Sequence, residues 1–197
     1  MKINKKALIL KLLKIIPSSK NFDDAINSVF NQMKVDKALR QEIKLDLFPY
    51  GLKSLMNELN FLIDEKLKKK KPPYNFKKFR VNEKIIYFVM QRLRFFDSLV
   101  DKNFFFKQTV RPQLLINSNK ILYKIADEIW FLSGDNSTDF NFYSKRLILM
   151  NIYVATFSFF VFDRSKGLKK TEEFLNKQIK LVLSFGKIKR KFSKLSF

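Results

Sequence analysis

The chain has 197 residues, of which 46% are hydrophobic and 23 are phenylalanine, and its formal net charge is +22. It contains neither cysteine nor histidine, which excludes disulfides, thiol catalysis, sulfur-ligated metals and the commonest general base. Only four glycines and five prolines interrupt it, so long helices around one sizeable core are expected.

The positive charge predicts an anionic partner, nucleic acid or lipid. Enrichment in Lys, Asn, Ile and Phe also fits the codon bias of an AT-rich genome. Lysine outnumbers arginine fourfold, which argues against base-specific DNA reading, where arginine's fork is preferred. Near the N-terminus, Ala7–Leu10 is apolar, but Lys11 and Lys14 end the run before a signal peptide can form. Six lysines and no arginine in the first twenty residues do not suit a transit peptide. The expectation is a mature bacterial protein in the cytoplasm, peripheral on the inner face of the membrane.

Leu8, Leu12, Ile15 and Ile16 predict a first helix over Lys2–Ile16, ended by Pro17. Phe22, Ala25, Ile26, Val29, Phe30 and Met33 share one face of a second helix. A short third helix covers Val35–Leu45, and Phe48-Pro49 precedes a fourth that runs to about Leu67. Three short helices and a long one resemble the N-terminal domain of TetR-type repressors. A DNA reader needs small residues in its tight turn and base-reading side chains at the start of helix three. Here that turn, near Lys34-Val35-Asp36, has no glycine, and Asp36 is badly placed against phosphate.

Lys66–Arg80 reads as a linker, since Lys68-Lys69-Lys70-Lys71-Pro72-Pro73 cannot continue a helix. Its lysines suit a solvated helix end. A fifth helix covers Lys78–Phe96, and Phe104–Phe106 form a phenylalanine run. Arg111-Pro112 starts a helical piece, and Ser118 is expected to cap the next helix, with Ile121, Leu122, Ile125, Ile129 and Leu132 inward.

Ser133-Gly134-Asp135-Asn136-Ser137 is the strongest turn signal of the chain. Gly134 is suited to the left-handed residue that ends a helix. Ser137 or Thr138 is a cap candidate for the next helix, and Asp139 suits its first turn. After this corner, Phe140, Tyr143, Leu147, Met150, Val154, Phe157 and Val161 repeat at alternating spacings of three and four. Leu149, Ile152, Phe159 and Phe160 make the opposite face apolar as well. Residues Leu147–Phe162 carry no charge but fall short of the ~20 needed to span a bilayer. Such a helix is a buried central helix, a lipid-cavity wall or a dimer interface. Leu168–Phe185 is a last long helix. In the tail from Lys187, Ile188, Phe192 and Leu195 share one face with five basic residues and no acid around them.

Glu128-Ile129-Trp130, the run Gly134–Arg146 and the aromatic helix after it closely resemble the ubiquinone-biosynthesis accessory family called Coq-nine. The resemblance covers about Phe79–Phe185. Ser133 stands where that family usually has alanine, Ser144 where it has threonine, and Phe142 where many members have tryptophan. The resemblance implies an all-α, TetR-like fold of about nine to ten helices. Together with the helix pattern, it gives an expected division into degenerate DNA-binding-like helices at 1–67, a lipid-binding and dimerisation region at 78–186, and the basic tail at 187–197.

It also implies a non-catalytic lipid-binding protein that presents a polyprenyl quinone precursor to demethoxyubiquinone hydroxylase, itself a di-iron enzyme. No catalytic residue, metal or cofactor is expected in this chain. Asp135 and Asp139 have a simpler reading as caps and as corner ion pairs with Lys145 or Arg146. The expected lipid-lining residues are Leu122, Ile125, Ile129, Leu147, Met150, Val154 and Phe157. The expected partner-binding residues are Trp130, Asp135, Asn141, Phe142, Tyr143 and Arg146, because aromatics and arginine dominate binding hot spots. Ile188, Arg190, Lys191, Phe192 and Leu195 are the expected contacts to an anionic membrane. A homodimer is expected. The competing reading is a TetR-like DNA-binding regulator with an apolar ligand pocket.

Overall fold

The computed structural model describes residues 4–135 and 140–193, apart from the side chains of residues 140–141 and 185–193. Among the described residues all regular structure is helical: α1 Lys5–Ile15, α2 Phe22–Gln32, α3 Lys37–Leu47, α4 Leu52–Lys69, α5 Val81–Leu99, α6 Lys102–Thr109, α7 Pro112–Leu132, α8 Phe140–Phe162 and α9 Lys169–Ser193. These helices group into two compact units that do not follow the chain linearly. The first comprises residues 1–70 and 95–121, the second residues 71–94 and 122–197. The linear division at 67 and 78 therefore differs from the packing: α6 and the first half of α7 belong with the N-terminal helices.

In the first unit, α1 is the hub. Leu8, Ile9, Leu12 and Leu13 are buried, and α1 packs on both α2 and α4. The buried face of α2 is Ala25, Ile26, Val29 and Phe30, as the spacing predicts. Asn21 caps α2 by accepting from the N–H of Asp24, and Asp36 caps α3 by accepting from Ala38. The third helix is thus displaced two residues from the expected Val35–Leu45. It buries none of its own residues, and an ion pair of 2.8 Å from Lys44 to Asp23 ties it to α2. The phenylalanine run lies in α6, where Asp101 caps the helix through Phe104 N–H and Phe105 is buried. Ser118 is not a cap. Helix α7 begins at Pro112, where a missing N–H costs nothing, and Ser118 lies inside it, donating its hydroxyl to Thr109 O at 3.2 Å.

In the second unit, α8 packs on α9. The buried residues of α8 include Leu149, Ile152, Tyr153, Thr156, Phe160 and Val161. The alternating seam is not the buried face: Tyr143, Leu147 and Val154 are exposed, with Phe162. Residues Phe142–Phe162 are long and apolar enough to cross a membrane by length and composition. The packing on α9 and the buried Arg146 and Thr156 make α8 a core helix of this unit. Helix α9 runs on to Ser193, past the expected end at Phe185. Arg94 of α5 and Glu172 of α9 form a 3.1 Å ion pair.

Candidate functional site: the corner between α7 and α8

Helix α7 ends in a Schellman motif. Asp135 N–H donates to Trp130 O at 3.0 Å and Gly134 N–H to Phe131 O at 3.0 Å. This geometry requires a left-handed residue, and Gly134 supplies it at φ 86°. The motif turns the Asp135 carboxylate toward α8. Lys145 Nζ lies 2.7 Å from Asp135 Oδ1, and Arg146 Nη1 lies 3.4 Å from Oδ2. Arg146 also reaches back to α7, with Nε 2.6 Å from Asp127 Oδ1.

Aromatic groups close the corner. Trp130 Nε1 donates to Lys145 O at 3.0 Å, and Lys145 Nζ sits 5.4 Å from the indole ring. The Arg146 guanidinium lies 3.2 Å from the centroid of the Phe142 ring, while its Nη1 donates to Phe142 O at 3.0 Å. Phe142 and Tyr143 meet edge to face at 5.1 Å. Asp135, Lys145, Arg146, Phe142 and Trp130 therefore form one clasp between two helices.

The clasp sorts the expected partner-binding residues. Arg146 is only 3% exposed, so it acts from inside. Trp130 and Phe142 are half-buried. Tyr143 is 60% exposed and is the large aromatic that the clasp presents outward. Tyr143 is a member of the alternating seam, yet its side chain faces outward. The side chain of Asn141 and the cap candidates Ser137, Thr138 and Asp139 lie outside the described residues. Phe131, 68% exposed at the end of α7, was missed. Its position one residue past Trp130, off the buried Ile125–Ile129 face, was the available signal.

The seven lipid-lining candidates do not share a face. Ile125 and Ile129 are interior, Leu122, Met150 and Phe157 are half-buried, and Leu147 and Val154 are exposed. Leu147 and Val154 thus belong to an exposed apolar face of α8. Of the membrane candidates, the side chains of Ile188, Arg190, Lys191 and Phe192, and Leu195 altogether, lie outside the described residues.

Among the described residues the corner gathers carboxylates, cations and aromatics. Among the described residues no three acidic side chains gather as a metal site. The arrangement can bind and position.

Residues 115–186 match the family model COQ9. The ubiquinone biosynthesis protein COQ9, mitochondrial, of Rattus norvegicus is 35% identical over 75 residues, which is 38% of this chain and 24% of that protein. The probable ubiquinone biosynthesis protein coq9 of Dictyostelium discoideum is 32% identical over 68 residues, 34% of this chain and 22% of that one. The human COQ9 protein is 32% identical over 75 residues, again 38% and 24%. The chain spans about a quarter of the length of the curated relatives it matches. A TetR transcriptional regulator from Nitrosomonas europaea shares the fold, with a TM-score of 0.67 at 15% identity over 89% of this chain and 96% of that one.

Proposed function

With a COQ9-family segment at residues 115–186, we propose that this protein is a non-catalytic accessory factor of ubiquinone biosynthesis. It binds a polyprenyl quinone precursor and presents it to demethoxyubiquinone hydroxylase. The observation that carries the reading is where the match falls: on α7, the clasped corner, α8 and most of α9. Relatives named for ubiquinone biosynthesis support that role. The absence of histidine and cysteine from the chain supports an accessory role, since the usual acid–base and metal-binding groups are missing.

Lipid binding is supported by the outer face of α8, where Leu147, Val154 and Phe162 are exposed. Soluble monomers seldom leave such a contiguous apolar stripe uncovered. Acyl or isoprenoid chains would cover it, and so would a second copy in a homodimer. The tail from Lys187 is assigned to an anionic membrane, where each basic residue contributes about 1 kcal/mol. The hydroxylase is assigned to the corner, with Tyr143 at its centre.

Native mass spectrometry of the full chain, purified from membranes containing ubiquinone precursors, tests the lipid and the copy number together. The expected result is a co-purifying isoprenoid quinone, with Val154→Asp abolishing it. A lipid-free protein that also fails to retain the hydroxylase in a pull-down overturns the reading. Salt-sensitive binding to duplex DNA would favour the regulator instead, against the carboxylate of Asp36 at the start of α3.

A further inference from the structure

We infer that the turn from Lys71 to Lys84 is a docking site for an anionic phospholipid surface. It lies wholly within the second unit and is separate in sequence from the tail. The inference does not depend on the ubiquinone reading, because vesicle binding needs no precursor.

Charge is the first observation. Eight basic residues and no acidic one lie between Glu65 and Glu83. Within the turn, Lys71, Lys77, Lys78 and Arg80 are exposed. Glu83 is directed at its own helix, where its Oε2 accepts from the N–H of Arg80 at 2.7 Å and caps α5.

Order is the second. This is not a slack lysine-rich link. Phe76 N–H donates to Pro73 O at 3.0 Å, and Lys78 N–H to Asn75 O at 3.0 Å. The Phe76 ring lies 5.5 Å from Phe79, 5.2 Å from Tyr87 and 5.4 Å from Phe88. That aromatic pad roots the turn on α5, and Lys84 Nζ sits 5.7 Å from the Phe76 ring. The basic side chains are thus carried on an already ordered turn, so little conformational freedom remains to be lost on docking.

The third observation is Tyr74, which is fully exposed behind Pro72-Pro73. A tyrosine with an apolar ring and a polar tip suits the headgroup level of a bilayer. Lipid is favoured over nucleic acid on two grounds. A single-stranded nucleic-acid groove uses several stacking aromatics, but Phe76 and Phe79 are turned into the pad and only Tyr74 stands free. The cations are also mostly lysine, a hydrated point charge, rather than the arginine fork that reads phosphates and bases.

The test is co-sedimentation of the full chain with vesicles of phosphatidylcholine, alone or mixed with about one third phosphatidylglycerol. Binding is expected only to the anionic vesicles, and it should weaken with salt. Lys71→Ser, Lys77→Ser, Lys78→Ser and Arg80→Ser together should lower partitioning by about a hundredfold or more, since each basic residue near such a surface contributes about a fivefold factor. The smaller pair Lys77→Ser and Lys78→Ser should lower it by about 25-fold with an unchanged thermal melt. Tyr74→Ser should give a smaller loss that salt does not remove. Equal binding by the wild type and the double variant overturns the proposal, as does equal binding to neutral vesicles. A double variant that loses an oligonucleotide but keeps the vesicles overturns it in favour of nucleic acid. The same measurements on a chain ending at Gly186 separate this turn from the tail.

Discussion

Arg146 of α8 reaches two carboxylates of the α7 side, with Nε 2.6 Å from Asp127 and Nη1 3.4 Å from Asp135. The two contacts differ in setting. The Asp127 side chain is 48% exposed, whereas that of Asp135 is 6% exposed. Solvent screens the first contact and leaves the second in a low-dielectric interior. Replacing Arg146 by Met should therefore cost about 1.5–3 kcal/mol, because it removes one of the two cations that the buried carboxylate holds and leaves Lys145. Asp127→Asn should cost no more than about 1 kcal/mol. Denaturant unfolding of both variants checks the ordering; equal losses would remove Asp135 from its central place.

Asp163 predicts an acid-sensitive joint between α8 and α9. Its carboxylate accepts from Ser165 N–H at 2.7 Å, Thr171 N–H at 2.9 Å and Thr171 Oγ1 at 2.6 Å. Burial on its own would raise the pKa, but these hydrogen bonds outweigh it and hold the group at about 2, below an ordinary 3.8. A folded-state pKa below the unfolded one gives stability that is present above the unfolded pKa. It is lost as pH falls from about 4 toward 2, and amounts to about 2 kcal/mol. Asp163→Asn should cost about that much at neutral pH. The gap between variant and wild type should then close on acidification, as read by melts across that window. A constant gap would mean that the carboxylate's charge is irrelevant to the joint.

Ser133 offers a prediction of the opposite sign. Its side chain is buried, and its Oγ has no hydrogen-bond partner among the described residues. An unmet buried hydroxyl costs about 1–3 kcal/mol, and removing it forfeits nothing. Ser133→Ala should be neutral or stabilising by about 1 kcal/mol. The neighbouring Gly134→Ala should lose about 1 kcal/mol from its positive φ. Among the described residues no atom lies within 4 Å of the added Cβ, so the loss is conformational rather than steric. Thermal melts of the two adjacent variants should move in opposite directions.

The corner was legible because its chemistry is local: a glycine that must be left-handed, a carboxylate after it, and two cations ten and eleven residues on. Helix α2 was legible because its apolar residues occupy one face only. The orientation of α8 was not, because Leu147 and Leu149 look alike when both faces are apolar. Periodicity then carries no information, and the neighbour α9 decides which side is covered. Ser118 misled because a serine before an apolar run mimics a cap, while Pro112 had already begun the helix. The division into units was hidden for a related reason: α5 and α7 each contribute to both, and no breaker marks the change.

The last prediction separates the two aromatics of the clasp. Phe142 lies under the Arg146 guanidinium at 3.2 Å, so Phe142→Lys would bring a second cation against a buried one. That variant should lose helix content or melt well below the wild type. Tyr143 is exposed, and its ring meets that of Phe142 edge to face, so Tyr143→Lys should retain the wild-type circular dichroism. If the corner is the hydroxylase-binding surface, Tyr143→Lys should lower capture of the hydroxylase by about tenfold or more, the scale of a central aromatic anchor. Phe131→Lys, on the exposed end of α7, tests how far the surface extends. Capture by Tyr143→Lys equal to the wild type, with the fold intact, would move the docking surface away from the corner. The clasp would then serve only to join α7 to α8.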